Sequence, residues 1–506
     1  MSNPVIENIP LAQTYFLDFL LSAAGNENPA LYINERYFSY HELGERVVYA
    51  AARIAEANIR GQHIAVYLND EVDTYAAILA VWYSGNIFIP IHASYPLGRI
   101  SQIHEKASFR GIFNATENVS SHLGPQVAVW NFPESIPAED RVPEMHRYQP
   151  DEICYCLFTS GSTGVPKGVQ ISYRNLSSFL ESAVHLDIRP EPGAGYLQMF
   201  EHTFDLSVVS TLWPLMNRGT LYHVGNAGAK YTEIYRLLEE FQIAFAIIVP
   251  SVLNMLKPYF DEISLPGLKF LALSGEAVPA DFESISKKCW PNARVFNFYG
   301  PTECTIFCTA YEMPADGCLQ ANGIMSIGKP VHHAQSLLSD ENGNFSKSSS
   351  KGLLWIGGNQ VMPGYLGQDS LTAERIKFLD GIPYYNTGDL VQRDDQGFLY
   401  YLGRIDQQVK INGYRIELSE IEYHAAQVLS RPCVALATKD SKGDQLILFV
   451  NDSQESQPQD IKERLGSRLP AYMIPEKIFF SDPFPLNANG KLDRNALRQQ
   501  YEMHHP

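Results

Sequence analysis

Residues Leu157 to Val169 read LFTSGSTGVPKGV: an apolar run that passes into a loop of three glycines, two serines, two threonines and a lysine. Small residues let backbone N–H groups come close to phosphate oxygens, hydroxyls add donors, and Lys167 supplies a point charge. The lysine follows Pro166 rather than a glycine that opens a helix, so this is not the Walker arrangement. A Gly/Ser loop by itself is more often a flexible turn than a nucleotide cradle. The rest of the chain has to decide.

Outward from this loop the sequence alternates between strand and helix signals. His63–Tyr67 reads as a strand, Val72–Tyr83 as a helix, and Phe88–Ile91 as a strand closed by Pro96. Tyr231–Phe241 and Ser251–Lys257 read as helices, and Ala244–Val249 and Leu268–Leu273 as strands. Strands separated by helical stretches imply parallel sheets with crossover helices. The Ser-rich stretch Asn344–Lys351 reads as a surface turn between strands. After Tyr401 the texture changes at Gly403-Arg404-Ile405-Asp406. Val434–Ala437 and Leu446–Val450 then read as strands and Asp460–Leu469 as a helix. The expected fold is α/β, with a large N-terminal part (1–402) of helix-flanked β-sheets and a small mobile α+β C-terminal part (403–506).

Composition narrows the class. With 39 basic against 56 acidic side chains the 506-residue chain carries a formal charge of −17, which argues against a nucleic-acid partner. Hydrophobic residues at 45% suffice for a large core, so global disorder is excluded. The start, MSNPVIENIPLAQ, places Pro4, Glu7 and Pro10 where a signal peptide needs a basic and then an apolar run. The longest apolar stretches fall short of the roughly 20 residues that span a bilayer, so no membrane insertion is expected. Seven cysteines, an odd number, suit a reducing cytoplasm better than a disulfide framework. Cys154 with Cys156 and Cys304 with Cys308 read as small buried hydrophobes rather than as ligands.

Further motifs follow the loop in order: Phe204-Asp205-Leu206-Ser207, Asn297-Phe298-Tyr299-Gly300-Pro301-Thr302-Glu303, Tyr385-Asn386-Thr387-Gly388-Asp389-Leu390, Gly403 through Glu422, Leu469 through Pro475, and Pro485 through Lys491. Together the seven resemble the adenylate-forming superfamily of acyl- and aryl-CoA synthetases, luciferases and peptide-synthetase adenylation domains, over nearly the whole chain. The resemblance implies attack of a carboxylate on the α-phosphate of ATP with pyrophosphate leaving, in the presence of Mg2+. It implies a nucleotide site of Thr159, Ser160, Gly161, Ser162, Thr163 and Gly164 with Lys167. Gly275, Glu276, Ala277, Asn297, Phe298, Tyr299 and Gly300 would surround the adenine, Asp389 would accept from the ribose hydroxyls, and Arg404 would help hold ribose and phosphate. Thr302 would serve the phosphate and Glu303 the Mg2+. Lys491 would bridge the substrate carboxylate and the developing adenylate, and Asp406 would be the hinge of the small part.

Asp205 matches the residue by which amino-acid-activating members hold the substrate ammonium. An aspartate there also reads as a cap for the helix that follows. Matching by motif places Leu206, Val209, Ile247, Ala272, Ser274, Phe298, Ile306 and Phe307 around the substrate side chain. None is charged, and Phe298 and Phe307 would fill space, which favours a small or compact apolar amino acid. Only 506 − 491 = 15 residues follow Lys491. Gly367-Gln368-Asp369-Ser370-Leu371, which looks like a carrier attachment site, belongs to a stretch that matches the family itself. The expected activity is therefore formation of an aminoacyl adenylate and transfer to the phosphopantetheine thiol of a separate carrier protein, as in D-alanine–carrier protein ligases. An acyl- or aryl-CoA synthetase and a catalytically silent scaffold are the alternatives. Two positions depart from the family: Tyr173 where histidine is usual, and Asn412 where peptide-synthetase domains have arginine.

Overall fold

The computed structural model describes residues 23, 25–137, 142–161, 165–188, 191–225, 230–314, 317–340, 343–346, 350–406, 408–440, 443–452, 457–481, 484–485 and 492–504. The chain divides into two compact units. One combines residues 1–93, 107–157 and 168–403, and the other residues 94–106, 158–167 and 404–506.

The larger unit contains, among the described residues, two extended sheets with parallel centres. In the first, Arg294–Tyr299, Phe270–Ser274, Phe245–Ile248, Gly195–Gln198, Thr220–His223 and Pro29–Ile33 follow one another in parallel. Antiparallel strands close both edges, Thr309–Met313 with Lys329–Pro330 at one and Arg36–Ser39 at the other. The second sheet runs in the order Gly364–Tyr365, Lys167–Ser172, Ile153–Thr159, Ile87–Ile91, His63–Tyr67, Gly111–Phe113, Ala128–Trp130. The crossover helix Val72–Tyr83 is buried at every residue except Asp73, because its sequence is apolar on all sides. Trp82 on it donates its indole N–H to the Cys154 carbonyl at 2.8 Å. Tyr173, the first departure from the family, is buried and stacks on Tyr148 with ring centroids 4.1 Å apart. It serves as a core aromatic.

The expected strands and helices agree in type with the observed ones, and their ends shift by up to three residues. His63–Tyr67 and Val72–Tyr83 keep their limits, whereas the helix expected at Tyr231–Phe241 runs Lys230–Glu240. The strand expected at Val434–Ala437 is longer, Cys433–Asp440. The helix-strand alternation also stops earlier than the sequence reading had it. Residues 334–404 form an antiparallel sheet of Phe345–Ser346, Ala334–Ser339, Lys351–Gly358, Ile382–Arg393 and Ile376–Leu379, with Leu399–Arg404 joined to Ile382–Arg393. Its hairpin turn is Asp380-Gly381 with φ of 52° and 79°, the pair of left-handed residues a tight two-residue turn demands.

In the smaller unit the hairpin Gln408–Ile411/Tyr414–Glu417 turns on Asn412 and Gly413, with φ of 51° and 82°. Asparagine tolerates that left-handed position far better than arginine does, which accounts for the second departure. Helix Leu418–Leu429 follows and packs its apolar face on the sheet Cys433–Asp440, Gly443–Val450, Lys477–Phe480. Its Glu420 is fully buried and accepts from Arg99, itself 1% exposed, at 2.5 Å. Burial alone would lower the Arg99 guanidinium, and the adjacent Glu420 carboxylate, together with Tyr472 and Tyr95, reverses this and holds it above its ordinary value.

Breaking such a buried pair from one side leaves a bare charge, which costs about 3–5 kcal/mol, whereas replacing both partners by apolar groups is close to neutral. Arg99→Met should therefore lower the urea midpoint clearly, and the Arg99→Met/Glu420→Leu double variant should recover most of the loss. Equal midpoints for the two variants would contradict the pairing.

Candidate active site

The glycine-rich loop leaves the carboxyl end of strand Ile153–Thr159. Its Ser160 is buried, donates its hydroxyl to the Arg415 carbonyl and accepts the Glu417 N–H, both at 3.2 Å. The Gly161 N–H donates to Glu420 Oε2 at 2.8 Å. Lys167 Nζ lies 3.2 Å from Glu417 Oε1, and Lys106 Nζ holds the Pro166 carbonyl at 2.8 Å. The loop closes so tightly that a Cβ on Gly161 would stand 2.1 Å from the Val165 carbonyl oxygen. Its Gly161 N–H and Lys167 thus meet carboxylates. Thr159 is half-buried at the strand end. Ser162, Thr163, Gly164 and Lys491 lie outside the described residues. Arg404 forks both nitrogens onto Asp406, at 2.7 and 2.8 Å. The residue expected on the nucleotide and the residue expected as hinge are thus bonded to each other.

A second loop, residues 300–308, leaves the carboxyl end of strand Arg294–Tyr299. The Tyr299 hydroxyl donates to Asp389 Oδ2, joining two of the expected nucleotide residues. Asn297 donates its side chain to the Ser326 carbonyl at 2.9 Å and is buried in the sheet. Thr302 and Glu303 form a single 3-10 turn. Glu303 is buried, and its Oε1 accepts the Tyr365 hydroxyl at 2.8 Å. Gly300 is needed where it stands, because a Cβ would meet the Ile306 oxygen and the Phe307 Cα at 2.6 Å. Thr305 and Ile306 both adopt left-handed backbone, with φ of 57° and 72°. For non-glycine residues this costs roughly 1–3 kcal/mol each, and it persists only where the surroundings enforce it. Magnesium characteristically uses one or two carboxylates together with substrate phosphates, and a lone buried Glu303 fits that donor set.

The residues expected around the substrate side chain come together. Ile247 is the register partner of Ala272, and Ser274 that of Phe298, whose carbonyl accepts the Ser274 hydroxyl at 3.0 Å. Phe298 and Phe307 stack with centroids 4.0 Å apart and planes at 15°. Leu206 and Val209 are buried one turn apart on helix Leu206–Met216. Gly275 has φ of 89°, and a Cβ there would stand 3.3 Å from Val249 and 4.0 Å from Leu206, so it is both a turn and a close approach. Glu276 accepts the Ser251 N–H at 2.8 Å, in the first turn of the preceding helix Pro250–Leu256, and Ala277 is exposed. Asp205 stands at the N-terminus of its helix, is 9% exposed, and makes no capping hydrogen bond.

Five positions escaped the sequence reading: Glu417 and Glu420, which bond the glycine-rich loop, Arg99, which bonds Glu420, and Tyr365 and Gln360, which bond the second loop. Glu417 and Glu420 fall within the quoted Gly403–Glu422 motif, which marks the region but not the partner. Three residues before Asp205, His202 is buried and edges onto Tyr75 with centroids 4.9 Å apart. Tyr75 in turn bonds His223 Nδ1 at 2.9 Å, and His223 faces Asp70 at 3.4 Å. Burial, then the neighbouring His223, pushes the His202 imidazole down to about 3, against the smaller pull of Asp70.

With this geometry in place, comparison with known proteins decides the family. The AMP-binding enzyme family model matches residues 22–366. The chain belongs to the AMP-binding enzyme family. It is 33% identical over 482 residues to the D-alanine–D-alanyl carrier protein ligase of Bacillus licheniformis, covering 92% of this chain and 95% of that one. The ligase of the same name from Bacillus cereus is 31% identical, with 86% and 88% covered. Among solved structures, the Vibrio cholerae adenylation domain AlmE in complex with glycyl-adenosine-5'-phosphate superposes with a TM-score of 0.84 at 23% identity, over 99% of this chain and 100% of that one. PA1221, an NRPS protein containing adenylation and PCP domains, gives 0.82 at 22% identity, over 97% and 84%.

Two outcomes follow for this AMP-binding enzyme. Gly161→Ala should lower the urea midpoint clearly, since a Cβ there would displace the Gly161 N–H bond to Glu420, and a backbone donor to a charged oxygen is worth about 1.5–3 kcal/mol. The His202 imidazole is neutral in the folded chain, while in the unfolded chain it takes a proton below its ordinary value of about 6.5. Its share of stability is therefore complete above that pH and lost as pH falls towards about 3. The His202→Gln variant should show a shallower fall in urea midpoint between pH 6.5 and pH 4.5 than the parent.

Proposed function

We propose that this AMP-binding enzyme activates a small amino acid, D-alanine by preference, as the aminoacyl adenylate and transfers it to the phosphopantetheine thiol of a carrier protein. The reading rests above all on Asp205. It is a buried carboxylate at the start of helix Leu206–Met216 whose side chain makes no capping hydrogen bond, beside the buried Leu206 and Val209 of that helix. Such a group suits a substrate ammonium. The stacked Phe298 and Phe307 are bulky groups among the residues expected around the substrate side chain, which favours a small one, and the 33% identity to a D-alanine–D-alanyl carrier protein ligase over 92% of the chain supports the same substrate.

In the first step a carboxylate oxygen of the amino acid attacks the α-phosphorus of ATP. The bond to pyrophosphate breaks as the acyl-phosphate bond forms. Lys167 and the N–H groups of the glycine-rich loop hold the phosphates, Thr302 donates to them, and Lys491 neutralises charge on the reacting oxygens. Tyr299 packs on the adenine while its hydroxyl and Asp389 face the ribose, where a carboxylate can accept from two hydroxyls. Glu303, held by Tyr365, would bind Mg2+, which offsets charge on the phosphates when present. In the second step the carrier's sulfur bonds to the carbonyl carbon, the carbon–oxygen bond to AMP breaks, and the thiol proton passes to water. The boundary at 403 and the hinge at Asp406 belong to this reading: a turn there would exchange Lys491 for the Gly413 hairpin between the steps. No helix among the described residues is long and apolar enough to cross a membrane. The need for ATP places the reaction in the cytoplasm.

The test is pyrophosphate exchange into ATP across glycine, both alanine enantiomers, proline, serine, valine and several aryl and fatty acids. Exchange is expected with D-alanine and, more weakly, with glycine. In the Asp205→Asn variant the KM for the amino acid should rise about 30-fold or more, with the KM for ATP unchanged, because removing one partner of a buried charge pair costs about 2 kcal/mol or more. Exchange only with acids that lack an amine would overturn the proposal and favour a CoA synthetase.

A further inference from the structure

We propose that Gln360 is a positioning residue that sets the depth of the amino-acid pocket, an inference that rests on the ligase reading above. Gln360 lies between strands Lys351–Gly358 and Gly364–Tyr365 and is completely buried. Its amide nitrogen donates to the Phe307 carbonyl at 2.8 Å and reaches the Cys304 and Thr305 carbonyls at 3.4 Å. A carboxamide has two N–H donors, so one serves Phe307 and the other is shared. Gln360 Oε1 accepts the Ser182 hydroxyl at 3.1 Å, and the Gln360 carbonyl accepts the Thr305 hydroxyl at 2.6 Å. Every polar group of the residue that these bonds involve is therefore spent on one loop or on the helix Tyr173–His185 behind it.

That loop is the one with two consecutive left-handed, non-glycine residues, Thr305 and Ile306, and Ile306 is β-branched. Nothing in its own sequence favours this backbone. The enforcement comes from residues 359–362. The Asn175 side chain donates to the Asn359 and Val361 carbonyls at 2.7 and 2.9 Å, anchoring the segment to a buried helix. The Met362 N–H then donates to the Glu303 carbonyl at 2.8 Å. The turn so enforced delivers Phe307 flat against Phe298 on one side and presents Thr302 and Glu303 on the other. Without the Gln360 donors the loop is free to leave its left-handed turn, Phe307 loses its seat, and the pocket deepens.

A single methylene in an apolar pocket is worth roughly 10–200-fold in discrimination, so pocket depth reads out directly as a substrate ratio. The measurement is kcat/KM in pyrophosphate exchange for D-alanine and D-valine, in the parent, Gln360→Met and Ser182→Ala. Gln360→Met keeps the length and removes the amide. The ratio of D-alanine to D-valine should fall about tenfold or more in Gln360→Met and by a smaller factor in Ser182→Ala. A purely structural defect lowers both substrates together and leaves the ratio untouched. An unchanged ratio in active Gln360→Met enzyme overturns the proposal. If that variant does not fold, an unchanged ratio in Ser182→Ala does so. A parent enzyme that exchanges with no amino acid sinks the ligase reading and this inference with it, and is distinguished by its silence before any substitution.

Discussion

Parallel strand pairing is the constraint on which the site depends. Neighbouring parallel strands end on the same side, so the loops that leave their carboxyl ends collect there. In the first sheet, Gly195–Gln198, Phe245–Ile248, Phe270–Ser274 and Arg294–Tyr299 run parallel. The segments after them carry, in turn, His202 to Asp205, the helix start at Pro250, Gly275 and Glu276, and the loop from Gly300 to Cys308. The register does the finer work. Pairing Ile247 with Ala272 and Ser274 with Phe298 puts small side chains beside a phenyl ring on one face. A slip of one residue would turn that set away.

The polar chemistry is arranged around buried carboxylates that already have partners. Glu303 accepts from Tyr365, Asp389 accepts from Tyr299, and Glu420 accepts from Arg99 and the Gly161 N–H. A buried carboxylate left bare would be costly, so each anion is matched to a donor. On the glycine-rich loop the same donors that suit a phosphate are taken by Glu417 and Glu420.

The 300–308 loop shows how strain is distributed. Thr305 and Ile306 sit in backbone that disfavours them, and the bonds that enforce it come from Gln360 and Met362, more than fifty residues further on. The loop's two duties, holding a compact pocket and presenting Glu303, are thus tied to one buried segment. A change at either end is expected at the other.

Much of this was legible in the sequence because it depends on local chemistry. The mostly apolar Val72–Tyr83 announces a buried crossover helix, and the motifs from the Gly/Ser/Thr run around Lys167 onwards announce the AMP-binding family. The turns at Asp380-Gly381 and Asn412-Gly413 follow from the left-handed tolerance of their residues, and Asn412 is explained by that alone. The antiparallel sheet of residues 334–404, the Arg404 fork onto Asp406, the Arg99–Glu420 pair across some 320 residues, and the grip of Gln360 on the Cys304, Thr305 and Phe307 carbonyls were not legible. They pair groups far apart in the chain, and no local propensity encodes a distant partner. The sequence alone determined which residue types could do chemistry and in what order they occur. The tertiary structure decided which of them meet, because burial, register and hydrogen-bond satisfaction are settled only when distant segments pack.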